Sequence, residues 1–279
     1  MNATVRTTGI EWTETTWNPT TGCDRISPGC DHCYALTMAK RLRAMGSAKY
    51  QTDGHPRTSG PGFGLTLHQQ ALTEPLRWRR PRLVFVNSMS DLGHARVPRE
   101  FLAEIFGVMA TAHQHTFQIL TKRPGRLAKI LSDNQFQDQV AEAAAGRANA
   151  TDPPDTAGAR DSRWPLPNVW IGTSIESDEY CWRADELRKT PAAVRFLSCE
   201  PLLGPLPNLD LTGIDWAIVG GESGPEARPM RPDWVRALCD QSVAAGVAFF
   251  FKQWGGRTPK QNGRDLDGVT WDQYPPRRQ

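Results

Sequence analysis

Leu83-Val84-Phe85-Val86, running directly into Asn87-Ser88-Met89-Ser90-Asp91, is the stretch that decides the fold. An unbroken apolar run, rather than an alternating one, is what a strand buried on both faces looks like. The polar residues behind it mark the strand's C-terminal end. The same phrase recurs down the chain. Thr116 to Leu120 ends at Thr121-Lys122-Arg123-Pro124, and Val169-Trp170-Ile171 ends at Gly172-Thr173-Ser174. Val194 to Leu197 leads into Ser198-Cys199-Glu200-Pro201, and Trp216 to Val219 into Gly220-Gly221-Glu222-Ser223-Gly224. Val247 to Phe251 closes the series at Lys252-Gln253-Trp254-Gly255.

Helical patterns occupy most of the intervals. Pro98 to Ala112 carries Phe101, Leu102, Ile105, Phe106 and Met109 at helical spacing behind an opening proline. Cys33 to Met45, Asp178 to Lys189 and Pro232 to Ala245 read the same way. Repeated strand–helix alternation predicts an α/β fold with parallel strands, a partial or full TIM-like (β/α) barrel forming one domain over residues 1–279. Polar residues gather at the strand C-termini, the rim where such barrels carry their chemistry. An open doubly wound sheet gives the same alternation and binds at the same ends, so it stands as the alternative.

Three stretches fall outside the repeat. Residues 133–165, rich in Ala, Gly, Asp and Pro, predict a short helix and then a mobile surface insertion. Gly46 to Phe63 is a Gly/Pro-rich loop placed to act as a lid, and residues 265–279 read as a flexible tail.

Hydrophobic residues at 39% and charged residues at 23% describe a folded chain, and a net charge of +3 is too small to argue nucleic-acid binding by itself. Arg77, Arg79, Arg80 and Arg82 form the one local basic run, read as a solvated rim in preference to a phosphate site. Residues 1–9 lack the apolar core of a signal peptide, and no apolar run approaches the ~20 residues of a membrane span, so a cytoplasmic protein is expected. Six cysteines are too sparse for a disulfide scaffold.

Three of the six, however, fall in Gly22-Cys23-Asp24-Arg25-Ile26-Ser27-Pro28-Gly29-Cys30-Asp31-His32-Cys33-Tyr34, placed after the first strand. The spacing is C-x6-C-x2-C, and Pro28-Gly29 turns the chain so that the thiols converge. Three soft ligands without a fourth cysteine nearby suit an iron–sulfur cluster with one open iron. Zinc, with His32 or a distant residue as fourth ligand, is the alternative, although only one short ligand pair is present. Cys181 and Cys239 lie in helical patterns and read as core, and Cys199 stands at the rim.

The cysteine loop, His32 before its last cysteine and the helix behind it resemble the radical S-adenosylmethionine superfamily. The phrases Asn87 to Asp91, Leu120 to Pro124, Trp170 to Ser174, Ser198 to Leu203, Gly220 to Gly224 and Phe250 to Trp254 resemble a phage-associated family of uncharacterised proteins, regarded as a divergent branch of that superfamily. The likeness covers about residues 8 to 256. It implies a [4Fe–4S] cluster on Cys23, Cys30 and Cys33, whose open iron chelates S-adenosylmethionine. An electron donor would reduce the cluster, and cleavage of the sulfonium would give a 5′-deoxyadenosyl radical that takes hydrogen from an unknown substrate. Phage association suggests nucleotide or nucleic-acid modification. A zinc-stabilised nucleic-acid-binding or accessory protein without catalysis is the rival reading.

Further candidates follow from their places on the rim. Ser88, Ser90 and Asp91 would face the methionine part of the cofactor, or cap the Pro98 helix. Ser174 and Glu176 would hold ribose hydroxyls, or begin a helix. Lys122 and Arg123 would meet a carboxylate or phosphate, or pair with Glu200 or Glu222. Glu200, Glu222 and Lys252 are the substrate-side candidates. The tryptophans Trp12, Trp17, Trp170, Trp216 and Trp254 adjoin strands, which favours burial over base stacking.

Overall fold

The computed structural model describes residues 8–147 and 164–276. Seven strands form one parallel sheet: β1 (Thr15–Trp17), β2 (Leu83–Val86), β3 (Thr116–Thr121), β4 (Val169–Ser174), β5 (Val194–Cys199), β6 (Trp216–Gly220) and β7 (Ala248–Gln253). Their order in the sheet is their order in the chain. Val84 on β2, for example, lies opposite Thr15 on one side and Phe117 on the other. A doubly wound sheet reverses its strand order at a switch point, and this one never does. The helices that follow β2 and the later strands pack on one face of the sheet, which curls into a half-barrel, while the helix after β1 packs in a separate cluster with Tyr50, Phe63 and Met89. β1 and β7 stay unpaired with each other, so the barrel is partial.

The helices are α1 (Tyr34–Ala44), α2 (Arg99–Thr111), α3 (Pro124–Leu131), α4 (Asn134–Ala145), α5 (Trp182–Arg188) and α6 (Pro232–Ala244). Alternate strand residues sort to two cores, as a two-residue period requires. Val84, Val86, Phe117, Ile119, Ile171, Val219 and Phe251 face the α2–α6 layer. Leu83, Phe85, Trp170, Phe196, Trp216 and Phe250 face the concave side, where Trp12 joins them. Trp12 packs on Phe85 at 4.7 Å between ring centroids, and Trp216 sits edge-on to Trp170 at 5.9 Å. Such pairs each contribute roughly 0.5–1.5 kcal/mol beyond their buried area. The strand-flanking tryptophans are therefore core, as expected, with Trp254 partly buried against the helix-side cluster.

Several expected boundaries move. The Asp178–Lys189 helix is a single 3₁₀ turn at Asp178–Tyr180 followed by the shorter α5. Cys199, expected at the rim, is fully buried at the end of β5 in the helix-side core. Of the predicted insertion, residues 134–145 are α4, whose Phe136, Val140 and Ala144 are buried with α2. The predicted excursion falls at 148–163, outside the described residues. The predicted flexible tail carries a short hairpin, Asp265–Leu266 with Val269–Thr270. Residues 271–273 run antiparallel along the outer edge of β7, with Phe251 N donating to the Trp271 carbonyl at 2.9 Å and Gln273 N to the Phe249 carbonyl at 3.1 Å. The Gln273 carbonyl accepts from Trp216 Nε1 at 2.8 Å, so Trp271 packs on the helix side and Tyr274 on the concave side. Polar composition suggested fraying there; the aromatic anchors Trp271 and Tyr274 decide otherwise.

Candidate functional site

The cysteine segment leaves β1 through a two-residue strand, Thr20–Thr21, paired with Thr66–Leu67. Gly22 then bridges Ser90, so the loop starts beside the end of β2. Pro28–Cys30 makes a 3₁₀ turn, which delivers Cys33 to the start of α1. Cys23, Cys30 and Cys33 are free, half-buried thiols lining one cavity of about 510 Å³ at the C-terminal mouth of the sheet. Ser88, Ser90, Asp91, Lys122, Ser174, Glu200, Glu222 and Lys252 line the same cavity. Nearly every rim residue that the sequence singled out is thus brought together, with Glu176 the exception.

Charged groups fix the loop on three sides. Beneath it, Lys122 Nζ lies 2.8 Å from Glu176 Oε2, which also accepts from Arg183 at 2.9 Å. A Cβ added at Gly29 would meet Lys122 Nζ and Glu176 Cδ at 3.1 Å, which places this network directly under the turn. Glu176 has 0% exposure and does not line the cavity, so it stands under the loop as a support. Burial raises its carboxyl, but the charges of Lys122 and Arg183 outweigh burial and hold it below its ordinary value.

At the β2–β3 side, Asp91 accepts from Thr121 (2.5 Å), Gly93 N (2.8 Å) and Arg123 (2.7 Å). It caps no helix, and α2 begins instead behind Pro98 without a side-chain cap. Ser90 bonds Thr20 Oγ1 at 2.7 Å and Ser88 donates to Asn18 at 3.2 Å, tying the β2 end to the segment that leads into the loop. Arg123 reaches Cys23 Sγ at 3.5 Å and the Asp24 carbonyl at 3.0 Å. Burial first, and then the charge of Asp91, push the Cys23 thiol up to about 12 against the pull of Arg123. Burial likewise raises Cys33.

On the far side, Glu222 accepts from His32 Nδ1 at 2.9 Å and from three Arg228 donors, while Arg228 also reaches the Pro28 carbonyl at 2.9 Å. Burial raises the Glu222 carboxyl, yet the bonds from Arg228 and His32 bring it down to about 2. Glu222 faces the cavity with its oxygens already committed, so it positions the loop. Gly220-Gly221-Glu222 serves packing: a Cβ on Gly221 would lie 2.0 Å from the Trp254 carbonyl oxygen. Lys122 and Arg123 pair with Glu176 and Asp91, not with Glu200 or Glu222. Glu200 instead pairs with Lys252 at 2.9 Å on the opposite wall.

The supports at Asp24, Arg183 and Arg228 escaped the sequence reading. Arg228 meets Glu222 and Pro28 across loops that carry no spacing signal. Arg183 reaches Glu176 from the first turn of α5 across residues 177–181, whose 3₁₀ turn gives no α-helical spacing to read. His32 lines the same cavity, with Nδ1 held by Glu222 at 2.9 Å and Nε2 3.8 Å from Glu226. Among the described residues no three Cys, His, Asp or Glu side chains converge on one ion. Cys23, Cys30 and Cys33 are the soft ligands this cavity offers, each a free thiol. Among the described residues no helix is long and apolar enough to cross a membrane. Over residues 7–275 the sequence matches the family model described as a protein of unknown function (DUF5131). No curated protein and no solved structure matches it.

Proposed function

We propose, for a chain that belongs to the DUF5131 family, a radical S-adenosylmethionine-type enzyme in which Cys23, Cys30 and Cys33 hold a [4Fe–4S] cluster. One observation carries the reading. The three thiols share a cavity with the polar ends of β2, β3, β5 and β7 at the mouth of a parallel half-barrel. The bound group would supply one-electron cleavage of a sulfonium, fed by an external electron donor.

This chain's own residues would do the rest. Arg123 and Lys122 bring positive charge to the thiolate side and keep the loop seated. Ser88 and Ser90 offer hydroxyls on the β2 wall, and Ser174 offers another at the end of β4. The Glu200–Lys252 pair, 2.9 Å apart on the opposite wall, is the substrate-side group able to hold or pass a proton. Trp12, Phe63 and Phe85 supply the apolar lining that keeps water out. The substrate class suggested by the sequence resemblance is a nucleotide or nucleic acid.

Anaerobic purification and a dithionite-reduced assay test the proposal. About four iron and four sulfide per chain, and release of 5′-deoxyadenosine from S-adenosylmethionine, are expected. Stoichiometric zinc without sulfide overturns it. An intact cluster that releases no 5′-deoxyadenosine would reduce the site to a structural one.

A further inference from the structure

The thiol cavity has a neighbour. On the outer side of the cysteine loop lies a shallower cavity of about 610 Å³, walled by Asp24, Arg25, His55, Thr58, His94 and Arg96. Asp24, Arg25 and Arg123 face both cavities, so only the start of the loop separates them.

Asp24 is the one carboxylate on this wall, and its oxygens are spent. Oδ1 accepts from Thr58 at 2.7 Å and from Ser59; Oδ2 accepts from His94 Nε2 at 2.8 Å and from Arg96 at 3.1 Å. His94 Nδ1 accepts the Arg96 amide at 3.2 Å, so the ring is neutral with its proton on Nε2. The cations are not spent in the same way. Arg25 is exposed, and among the described residues its guanidinium has no hydrogen-bond or ion-pair partner. Arg96, 55% exposed, commits one of its nitrogens to Asp24 and keeps its other donors. His55 uses Nδ1 to accept the Arg57 amide at 3.2 Å, which leaves Nε2 as a donor.

Two guanidinium forks and an imidazole N–H around a concavity whose only carboxylate is satisfied make a receptor for an anion with several oxygens. We infer that this second cavity binds a phosphate group, from a nucleotide or from a nucleic-acid strand, beside the mouth of the thiol cavity. A phosphate seated there leaves the attached sugar and base a wall's thickness from the cysteines. No thiol belongs to the site, so it stands or falls separately from the iron–sulfur reading.

The test is calorimetric titration of the whole chain at low ionic strength with inorganic phosphate, a nucleoside 5′-monophosphate and a short single-stranded oligonucleotide. Arg25→Ala is the main variant, because that exposed side chain supports nothing else; Arg96→Ala is the second. R79A/R80A removes two exposed arginines elsewhere and controls for net charge. Each variant is expected to weaken binding about tenfold and to lower the salt dependence by about one counterion. The control and Cys30→Ala should bind like wild type. Arg25-dependent binding of all three probes identifies a free nucleotide phosphate as the source, and binding of the oligonucleotide alone identifies a strand. Absence of binding by every probe, or equal weakening in R79A/R80A, overturns the site.

Discussion

Each cysteine of the loop has a different neighbour, and that decides what single substitutions do. Cys23 lies under Arg123, Cys33 starts α1, and Cys30 sits half-buried in the 3₁₀ turn between them. Cys30→Ala is therefore expected to leave the fold intact while abolishing iron retention, read as iron and sulfide per chain alongside an unchanged thermal melt. Glu222 behaves oppositely, because it contributes to stability whether or not iron is bound. Its carboxyl lies at about 2 in place of the ordinary 4.5, so its stabilisation is full above pH 4.5 and is lost as pH falls towards 2. Glu222→Gln should cost on the order of 1–3 kcal/mol at pH 7 in urea unfolding. At pH 3 the gap from wild type should be less than half as large; an equal gap at both pH values would contradict this account.

At the scale of elements, the strand ends are built by backbone approach as much as by side chains. Gly221 follows β6 where the chain passes against Trp254 behind β7, and an added methyl has only a carbonyl oxygen to displace. Gly221→Ala should cost roughly 1–3 kcal/mol and loosen the Glu222–His32 contact, visible as a lowered urea midpoint. Six of the seven strands were legible in the sequence because continuous apolar runs and polar ends obey local rules. Thr15–Trp17 has no such run, and the same runs suit a barrel or a doubly wound order, which only the pairing decides. The cysteine loop was legible because its spacing is local too. The clamps were not, since Arg228 to Pro28 and Arg123 to Asp24 span 200 and 99 residues of sequence. The partners of Asp91 and Glu176, Arg123 and Lys122 with Arg183, were hidden as well, since no regular spacing marks them. Composition also misled at the chain's end, where sparse aromatics outweigh many polar neighbours.

For the whole molecule, the open side of the half-barrel is the weak point, and residues 265–276 cover part of it. Tyr274 lies 5.0 Å from the Trp216 ring, and Leu266 is buried against the helix-side core. Removing residues 265–279 should lower the melting temperature by roughly 5–10 °C and shift tryptophan emission to the red, as Trp216 meets water. An unchanged melt would mean that the cover contributes nothing. The cysteine loop has a related consequence at the mouth. Arg123 grips the Asp24 carbonyl from the end of β3, and Arg228 grips the Pro28 carbonyl from beyond β6. These arginines hold successive points of one strap laid across the mouth of the half-barrel. Slack introduced at one anchor is shared by the other, so two flanks of the sheet that never touch yield together.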